Sequence, residues 1–333
     1  MENKKVLVLG AGGAMGRYAV PELVKNGCEV TAVALNDPEA PLPEVTYLKV
    51  NGKEPAVRDE LLSRNFDGII DFLSYKTAEL IKTLPRMLDH TGHYIFLSSG
   101  RVYADLEFPV RETSPRLIDA SDDQLLLNSD DYCIFKARGE NILRALPKRN
   151  WSIARPATTY SYLRYQLVTL EAADTVGRAR QGKAAVLPIQ AREKPATLSW
   201  GGDAGRMIAR LLFRDAALGE DFNINSAECH TWQEIADYYK DICGLESVWV
   251  DKEDYLKLIT PDPYAMNTRW QLDYARLFRR KVDNSKVLAV TGMKQSEMRP
   301  LYDGLKMEID RTPADYPWPN NQRMDDYLAA MKK

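Results

Sequence analysis

The chain has 333 residues, 45% of them apolar, which is enough to bury a sizeable core in one large domain or in two intertwined ones. Its 45 basic and 47 acidic residues leave a net charge of -2, so no overall charge attracts it to nucleic acid or to an anionic membrane. No apolar run approaches the ~20 residues that span a bilayer, and the four cysteines show none of the spacings of a zinc site. We therefore expect a cytoplasmic globular protein with no membrane segment, no metal site and no nucleic-acid partner.

The first elements in the chain are a strand, a glycine-rich turn and a helix. Residues 6–9 are all apolar, which predicts a strand buried on both faces of a parallel sheet. Gly10, Gly13 and Gly16 follow at once, and residues 17–26 have the apolar spacing of a helix. Such a unit can hold a dinucleotide diphosphate, because the glycines let backbone N–H groups and the helix N-terminus approach the phosphates. The alternative is a flexible turn that binds nothing.

The rest of the first half alternates between strand and helix patterns. Short apolar runs predict further strands at 30–35, 45–50, 68–73, 94–98 and 152–155. Helical spacing lies between them at 57–64, 77–88 and 131–146. Strands alternating with helices in this way predict an α/β fold of the Rossmann type, with an open, doubly wound parallel sheet.

The second half of the chain is less regular. Helices are predicted at 164–181, 204–213 and 231–242, the last of which opens with a capping-box pattern. A short strand is predicted at 221–225 and a loop at 183–195. The proline-containing stretch 313–321 is more typical of a strap that wraps the surface than of a domain.

Two clusters of side chains indicate chemistry. Tyr132 and Lys136 are four residues apart in a predicted helix and therefore share one face. A phenol normally loses its proton near pH ~10, but a nearby ammonium favours the phenolate, so such a pair can take a proton from an alcohol. Ser98 and Ser99 end the strand at 94–98, on the side of the sheet where open α/β folds bind ligands. Taken singly, the first cluster is also compatible with a surface pair and the second with an ordinary strand end.

Four motifs occur in a fixed order along the chain. They are Gly10-x-x-Gly13-x-x-Gly16, Leu97-Ser98-Ser99-Gly100-Arg101-Val102-Tyr103, Tyr132-x-x-x-Lys136 and Arg155-Pro156-Ala157-Thr158-Thr159-Tyr160. With this set the chain resembles the extended short-chain dehydrogenase/reductases, the NAD-dependent sugar epimerase/dehydratase family. The stretches 221–224 and 283–305 resemble later motifs of that family, so the resemblance covers about residues 4–310. It implies a Rossmann-type sheet with a smaller C-terminal substrate-binding lobe.

The resemblance also implies roles for individual residues. Ser99, Tyr132 and Lys136 would form the catalytic triad: Tyr132 is the base, Lys136 its partner and a ligand of the nicotinamide ribose, and Ser99 a hydrogen-bond donor to the reacting oxygen. The implied cofactor is NAD, with NADP as the alternative. The residues implied at the cofactor are Gly10, Gly13, Ala14, Met15, Gly16, Asn36, Asp37, Asn51, Leu73, Lys76, Tyr132, Lys136 and Pro156.

The chain departs from the family pattern at the cofactor's adenosine end. NAD-binding members usually carry an aspartate directly after the second strand, where this chain has Ala34. We expect Asn36 or Asp37 to take that role, with NAD as the cofactor. Arg17 is the candidate for a contact with the 2′-phosphate if the cofactor is NADP.

The chain also departs from the pattern where the family binds its substrate. Ala196 stands where nucleotide-sugar epimerases usually carry an arginine that clamps the diphosphate. Arg279 and Arg280 are either a second basic site or part of the solvated surface. Gly100-Arg101 replaces the Asp-Glu pair of the 4,6-dehydratases, which disfavours a dehydratase.

The resemblance divides the chain and implies its function. A cofactor domain would span 1–160, with returning elements at about 196–242. A substrate-binding lobe would take 161–195 and 243–312, and 313–333 would be a tail. The implied protein is an NAD-dependent epimerase of a sugar or nucleotide sugar.

Two alternatives stay open: a dehydrogenase or reductase of a sugar-like substrate, and a non-catalytic relative that binds a dinucleotide or RNA. Similar enzymes are often homodimers, joined here by the helices at 77–88 and 132–146.

Overall fold

Seven parallel strands form the central sheet of the computed structural model, which describes residues 3–260, 262 and 265–331. In chain order the sheet strands are β1 (Lys5–Leu9), β2 (Glu29–Ala34), β3 (Val45–Lys49), β4 (Phe66–Asp71), β5 (Thr91–Leu97), β6 (Trp151–Pro156) and β11 (Glu220–Ile224). Across the sheet they run in the order 3-2-1-4-5-6-11. The prediction of a Rossmann-type sheet is therefore confirmed, since 3-2-1-4-5-6 is the order of that fold.

Six shorter strands pair outside the central sheet. They are β7 (Thr158–Tyr160), β8 (Ala185–Pro188), β9 (Pro195–Ala196), β10 (Leu198–Trp200), β12 (His230–Thr231) and β13 (Ser247–Val250). β7 pairs with β10 and β8 with β13, both in parallel, whereas β9 and β12 are antiparallel.

Helices cover both faces of the sheet and build the smaller lobe. Their bounds are α1 (Gly16–Lys25), α2 (Pro55–Ser63), α3 (Thr77–Asp89), α4 (Leu117–Ala120), α5 (Gln124–Asn128), α6 (Tyr132–Ala145), α7 (Val176–Arg180), α8 (Gly201–Leu211), α9 (Trp232–Cys243), α10 (Lys252–Ile259), α11 (Met266–Gln271), α12 (Ser285–Thr291), α13 (Leu301–Asp310) and α14 (Gln322–Met331). Single 3₁₀ turns lie at Gly100–Val102, Ile189–Ala191, Asp215–Ala217 and Gln295–Glu297, and a π-helical turn at Leu272–Arg276. Of the described helices, none combines the length and the apolar character needed to cross a bilayer.

The apolar run of β1 is buried on both faces, as its sequence predicts. Val6 and Val8 belong to the core beneath α1, α8 and α12. Leu7 and Leu9 belong to the core on the other face, beneath α2, α3 and α6. Successive side chains of a strand point to opposite faces, so a strand covered by helices on both sides needs an apolar residue at every position.

A separate apolar core lies in the smaller lobe. It joins Tyr165, the strand β8 and the helices α9 and α13, and it includes Met324 of α14. Residues 313–321 form neither helix nor strand; within them, Trp318 contacts α7 so closely that a Cβ on Gly177 would lie 3.0 Å from the indole. The last described helix is thus tied into this lobe.

Two predictions in this half of the chain are wrong. Of the helix predicted at 164–181, only Val176–Arg180 is helical. The preceding residues form tight bridged turns with Leu163 and Val168 at positive φ, and their apolar side chains fill the lobe core rather than one face of a helix. The loop predicted at 183–195 contains β8, whose partner β13 lies too far along the chain for any local pattern to reveal it.

The predicted strand at 221–225 is confirmed as β11. It extends the sheet as a seventh strand, paired in parallel with β6. The predicted capping box is also confirmed, since the side chains of Thr231 and Glu234 each accept a hydrogen bond from the other's backbone N–H at the start of α9.

Candidate active site

A cavity of 1470 Å³ lies at the carboxyl ends of the sheet strands. Its wall runs from the glycine-rich turn past the ends of β2, β3 and β5 to residues 271–282 near the smaller lobe. This edge, at the point where the strand order reverses between β1 and β4, is where open α/β folds bind ligands. The volume exceeds the ~300–1,000 Å³ of a typical small-molecule site, so the cavity has room for two ligands side by side.

The glycine-rich turn is packed too closely for side chains. Gly10 has a φ of +77°, and a Cβ there would lie 3.1 Å from Cβ of Phe72. A Cβ on Gly16 would lie 2.6 Å from the carbonyl oxygen of Gly10, because α1 starts directly against the turn. The ten-residue helix α1 therefore presents its N-terminal N–H groups and its positive dipole end at the cavity wall. This geometry fits a bound diphosphate.

Tyr132 and Lys136 lie where the sequence predicts them, at the start of α6. The N-cap of that helix is Asp131, whose carboxylate accepts from the N–H of Cys133. Tyr132 lines the cavity, and Lys136 is buried one turn behind it, with Nζ 5.7 Å from the tyrosine ring centroid. Nζ of Lys136 donates to the carbonyl oxygen of Leu97, 2.6 Å away, at the end of β5. Burial lowers the pKa of Lys136, opposed mainly by Tyr132 and Asp71.

The two serines after β5 have different surroundings. Ser98 is fully buried, and its hydroxyl donates to Oε1 of Glu140 over 2.6 Å. Ser99 lines the cavity, and its Oγ accepts a 3.2 Å hydrogen bond from the backbone N–H of Arg101. Only Ser99 therefore offers its hydroxyl to a ligand in the cavity.

Glu140 also belongs to a buried ionic network beneath the cavity. Its carboxylate receives two 2.7 Å hydrogen bonds from Arg155, which is 1% exposed. Arg155 in turn bonds Asp221 of β11 and the hydroxyl of Tyr103. A bidentate pair of this kind fixes the relative positions of α6, β6 and β11, and with them the start of α6.

Most residues implied at the cofactor line the large cavity. These are Gly10, Gly13, Ala14, Met15, Gly16, Asn36, Asp37, Asn51, Leu73, Tyr132 and Pro156. Lys136 lies behind that wall. Lys76 lines an adjoining cavity of 350 Å³ instead, and its Nζ donates to the carbonyl oxygen of Asp130, 2.5 Å away.

Two of the polar residues implied at the cofactor, Asp37 and Asn51, are engaged with their own neighbours. Asp37 is largely exposed and forms a 2.7 Å ion pair with Lys49. The side-chain amide of Asn51 donates to Glu54 and accepts from the N–H of Lys53. Asp37 and Asn51 therefore lie at the cavity edge with some of their hydrogen-bonding atoms already bound to protein neighbours.

The other end of the cavity carries an arginine that the sequence analysis missed. Arg276 is 8% exposed; its Nε donates to the carbonyl oxygen of Val168 and its Nη1 to the hydroxyl of Thr158, each over 2.7 Å. Both acceptors are uncharged. Burial lowers the pKa of Arg276 to about 10, and repulsion from Arg101 adds to the effect. In the sequence, Arg276 is marked only by its position three and four residues before Arg279 and Arg280.

The structure separates the two arginines of that pair. Arg279 is exposed and forms a 3.1 Å ion pair with Asp105. Arg280 turns inward to line the cavity, and its guanidinium donates to the carbonyl oxygens of Tyr103 and Ala104 over 2.7 and 3.3 Å. The end of the cavity near the smaller lobe is thus lined by Arg280 and Arg276, and by Arg101 next to Tyr132.

Comparison with known proteins places the whole chain in one fold. No family model and no curated protein sequence matches it. An epimerase from Methanothermobacter thermautotrophicus aligns with a TM-score of 0.68, over 99% of this chain and 95% of that chain, at 15% identity. The Bordetella bronchiseptica enzyme WbmH, solved in complex with NAD+, aligns with a TM-score of 0.68, over 95% and 99%, at 16% identity. The Thermus thermophilus UDP-glucose 4-epimerase complex with NAD aligns with a TM-score of 0.64, over 92% and 98%, at 17% identity. The fold implied by the motifs, that of the extended short-chain dehydrogenase/reductases, is thereby confirmed.

Proposed function

We propose that this protein, which has the fold of the extended short-chain dehydrogenase/reductases, is an NAD-dependent epimerase of a sugar derivative. The observation that carries the proposal is a shared wall: Ser99 and Tyr132 line the same cavity as the glycine-rich turn, and Lys136 lies one turn behind Tyr132. Neighbours of the same fold that were solved with NAD support the choice of cofactor.

Each member of the triad has a defined task in this reaction. Tyr132 takes the proton of one substrate hydroxyl while the C–H bond on the same carbon breaks, so that the carbon becomes a ketone. Lys136 places its ammonium charge one turn behind the tyrosine, with Nζ 5.7 Å from the ring centroid, and would also bind the nicotinamide ribose. Ser99 donates a hydrogen bond to the reacting oxygen. NAD held along the glycine-rich turn would supply the hydride acceptor and donor. The ketone would turn over in the cavity and take the hydride back on its other face, and Tyr132 would return the proton to the oxygen.

The substrate in this proposal is an anionic sugar derivative, with a nucleotide sugar as the first choice. Arg276 and Arg280 carry positive charge at the substrate end, and their donors rest on uncharged oxygens. A diphosphate bound there replaces the missing counter-charge, and arginine suits phosphate oxygens because its donors are fixed in a plane. The name of the Thermus neighbour, a UDP-glucose 4-epimerase, supports the same class.

One measurement tests the proposal and its main alternative together. The protein is purified without added cofactor and denatured, and any released dinucleotide is identified by absorbance and mass spectrometry. Near-stoichiometric NAD is expected, because an epimerase regenerates its cofactor in every turnover. A protein that is empty and exchanges its dinucleotide freely favours the dehydrogenase or reductase alternative. A protein that binds neither NAD nor NADP contradicts an enzymatic role of this type.

We also propose a homodimer in the cytoplasm. Ile81 is 57% exposed on the outer side of α3, one of the two helices expected at the dimer contact. The four cysteines, all within the described residues, form no disulfide, which suits a reducing compartment. Sedimentation velocity of the protein and of Ile81→Glu tests the contact: the dimer is expected to dissociate in the variant, and a monomeric wild type contradicts it.

A further inference from the structure

The cofactor end of the cavity holds a carboxylate between two arginines. Glu39 lies in the connection after β2, and its Oε2 is 3.3 Å from Nη1 of Arg17. Its Oε1 is 2.9 Å from Nη2 of Arg311, which follows α13. All three residues line the large cavity. Arg17 and Arg311, which are far apart in the sequence, thus both pair with Glu39.

This acid is connected to the point where the glycine-rich turn meets the end of β2. Nη2 of Arg17 donates to the carbonyl oxygen of Gly12, 3.3 Å away. A Cβ on Gly12 would lie 3.4 Å from Cβ of Ala34, the residue that stands where a ribose-binding aspartate is expected. Glu39 also follows the last motif glycine by the ~20 residues typical of the acid that bonds the adenosine ribose. The spacing and the contacts of Glu39 are both compatible with a carboxylate at that ribose.

The second arginine is held in position without Glu39. Nη1 of Arg311 is 3.1 Å from Oε2 of Glu308, whose side chain is fully buried. Oε1 of Glu308 accepts from the hydroxyl of Tyr18 over 2.5 Å and from the indole of Trp200 over 2.7 Å. The guanidinium of Arg311 also lies 4.5 Å from the ring centroid of Tyr162. Removing the charge of Glu39 therefore leaves Arg311 where it is.

We propose that Glu39, rather than Asn36 or Asp37, sets the choice between NAD and NADP. Its carboxylate accepts from the ribose hydroxyls and also pairs with both Arg17 and Arg311, so that a 2′-phosphate meets a carboxylate instead of free arginine donors. Asp37 is directed to Lys49, and its side chain is 76% exposed. The inference rests on the proposed cofactor site.

Direct binding of both dinucleotides tests the inference without any turnover. Dissociation constants for NAD and NADP are measured by calorimetry for the wild type and for Glu39→Gln. The wild type is expected to bind NAD at least tenfold more tightly than NADP. The substitution is expected to improve NADP binding relative to NAD at least tenfold, because it leaves two arginines available to the 2′-phosphate. Adding Arg17→Met to Glu39→Gln is expected to remove most of that gain.

The matched control is Glu60→Gln, which removes an acid that pairs with Arg64 at 2.8 Å on the exposed side of α2. It is expected to leave both constants unchanged, and thermal melts confirm that each variant is folded. A Glu39→Gln protein with an unchanged NADP-to-NAD ratio overturns the inference while leaving the proposed function intact. A wild type that prefers NADP overturns it as well. A wild type that binds neither dinucleotide overturns both.

Discussion

Arginines lie at both ends of the large cavity, but different groups hold them. At the cofactor end, Arg17 and Arg311 share the carboxylate of Glu39. At the substrate end, Arg276 and Arg280 donate to carbonyl and hydroxyl oxygens. The first pair has most of its charge neutralised within the protein, whereas the second pair keeps its charge for whatever enters the cavity.

The pKa values of the arginines differ between the two ends in the same way. Burial by itself lowers the pKa of Arg311, but the carboxylates of Glu308 and Glu39 outweigh burial, and the pKa is raised. At the other end, Arg101 adds its repulsion to burial, and the pKa of Arg276 is lowered. A buried cation without a full counter-charge is costly, so its presence in a cavity wall points to an anionic ligand. The comparison therefore predicts which ligand each end accepts.

The largest effect is expected between the two ends, at Tyr132. Replacing it in Tyr132→Phe removes the proton acceptor but no contact of either arginine pair. We expect kcat to fall by about 10²–10⁴-fold, the usual contribution of a general base, while NAD and the substrate bind as before. Steady-state kinetics and calorimetry measure the two quantities. The control is Tyr302→Phe, whose hydroxyl bonds Asp241 at the surface. Turnover at the normal rate in Tyr132→Phe contradicts the mechanism.

The next largest effect is expected at the substrate end. Arg276→Met is expected to weaken the binding of a nucleotide sugar roughly 10- to 150-fold, since a hydrogen bond to a charged group contributes about 1.5–3 kcal/mol. NAD binding is expected to stay the same, because Arg276 makes no contact with the glycine-rich turn or with Glu39. The control is Arg269→Met, which removes an arginine paired with Glu253 at 2.6 Å. An equal loss of affinity for NAD and for the nucleotide sugar would mean that Arg276→Met distorts the whole cavity. In that case Arg276→Lys shows whether a positive charge at this position restores binding of the nucleotide sugar.

Asp71 is a carboxylate buried at the end of β4. Burial raises its pKa to about 6, although the N–H of Leu73, the hydroxyl of Tyr94 and the ammonium of Lys136 oppose the shift. The folded protein therefore keeps a proton that the unfolded chain, with a pKa near ~3.9, releases as the pH rises. Between about pH 4 and pH 6 this residue makes the folded state less stable as the pH increases.

The substitution Asp71→Asn is expected to remove that dependence. It should stabilise the protein at pH 7.5, relative to the wild type, by on the order of 3 kcal/mol, and by much less at pH 4. Thermal melts of both proteins at the two pH values measure the difference. An equal difference at both values shows that Asp71 ionises normally.

The smallest effect is expected from replacing Arg279 and Arg280 one at a time. Arg280→Met should weaken nucleotide-sugar binding roughly twofold to fivefold, because a partly exposed charge pair contributes up to about 1 kcal/mol. Arg279→Met, one residue away but exposed and paired with Asp105, should change nothing. The same loss in both variants would show that the pair acts through the general field of the protein and not through contact.

The cofactor half of the fold could be predicted because its signals are local. The run at 6–9, the three glycines and the helix behind them lie within 21 residues of one another, and each is specified by its own sequence. Tyr132 and Lys136 have the same advantage, since a spacing of four on a helix fixes their common face.

The substrate half could not be predicted in the same way. The apolar residues between Tyr165 and Leu170 satisfy a core that is formed from distant segments, so their spacing gave the wrong helix. The pairing of Glu39 with Arg311 joins positions 272 residues apart. No local pattern contains that contact, and Arg276 is unremarkable in the sequence until its neighbours in space are known.

The position of Met324 in the core of the smaller lobe bears on the order in which the protein forms during synthesis. Six strands of the sheet lie within the first 156 residues, so the sheet face beneath α2, α3 and α6 can assemble early on the ribosome, before α8 and α12 cover the other face. The core of the smaller lobe includes residues from Tyr160 to Met324, and it closes only after the latter has left the exit tunnel. A nascent chain therefore has its glycine-rich turn before the smaller lobe is closed.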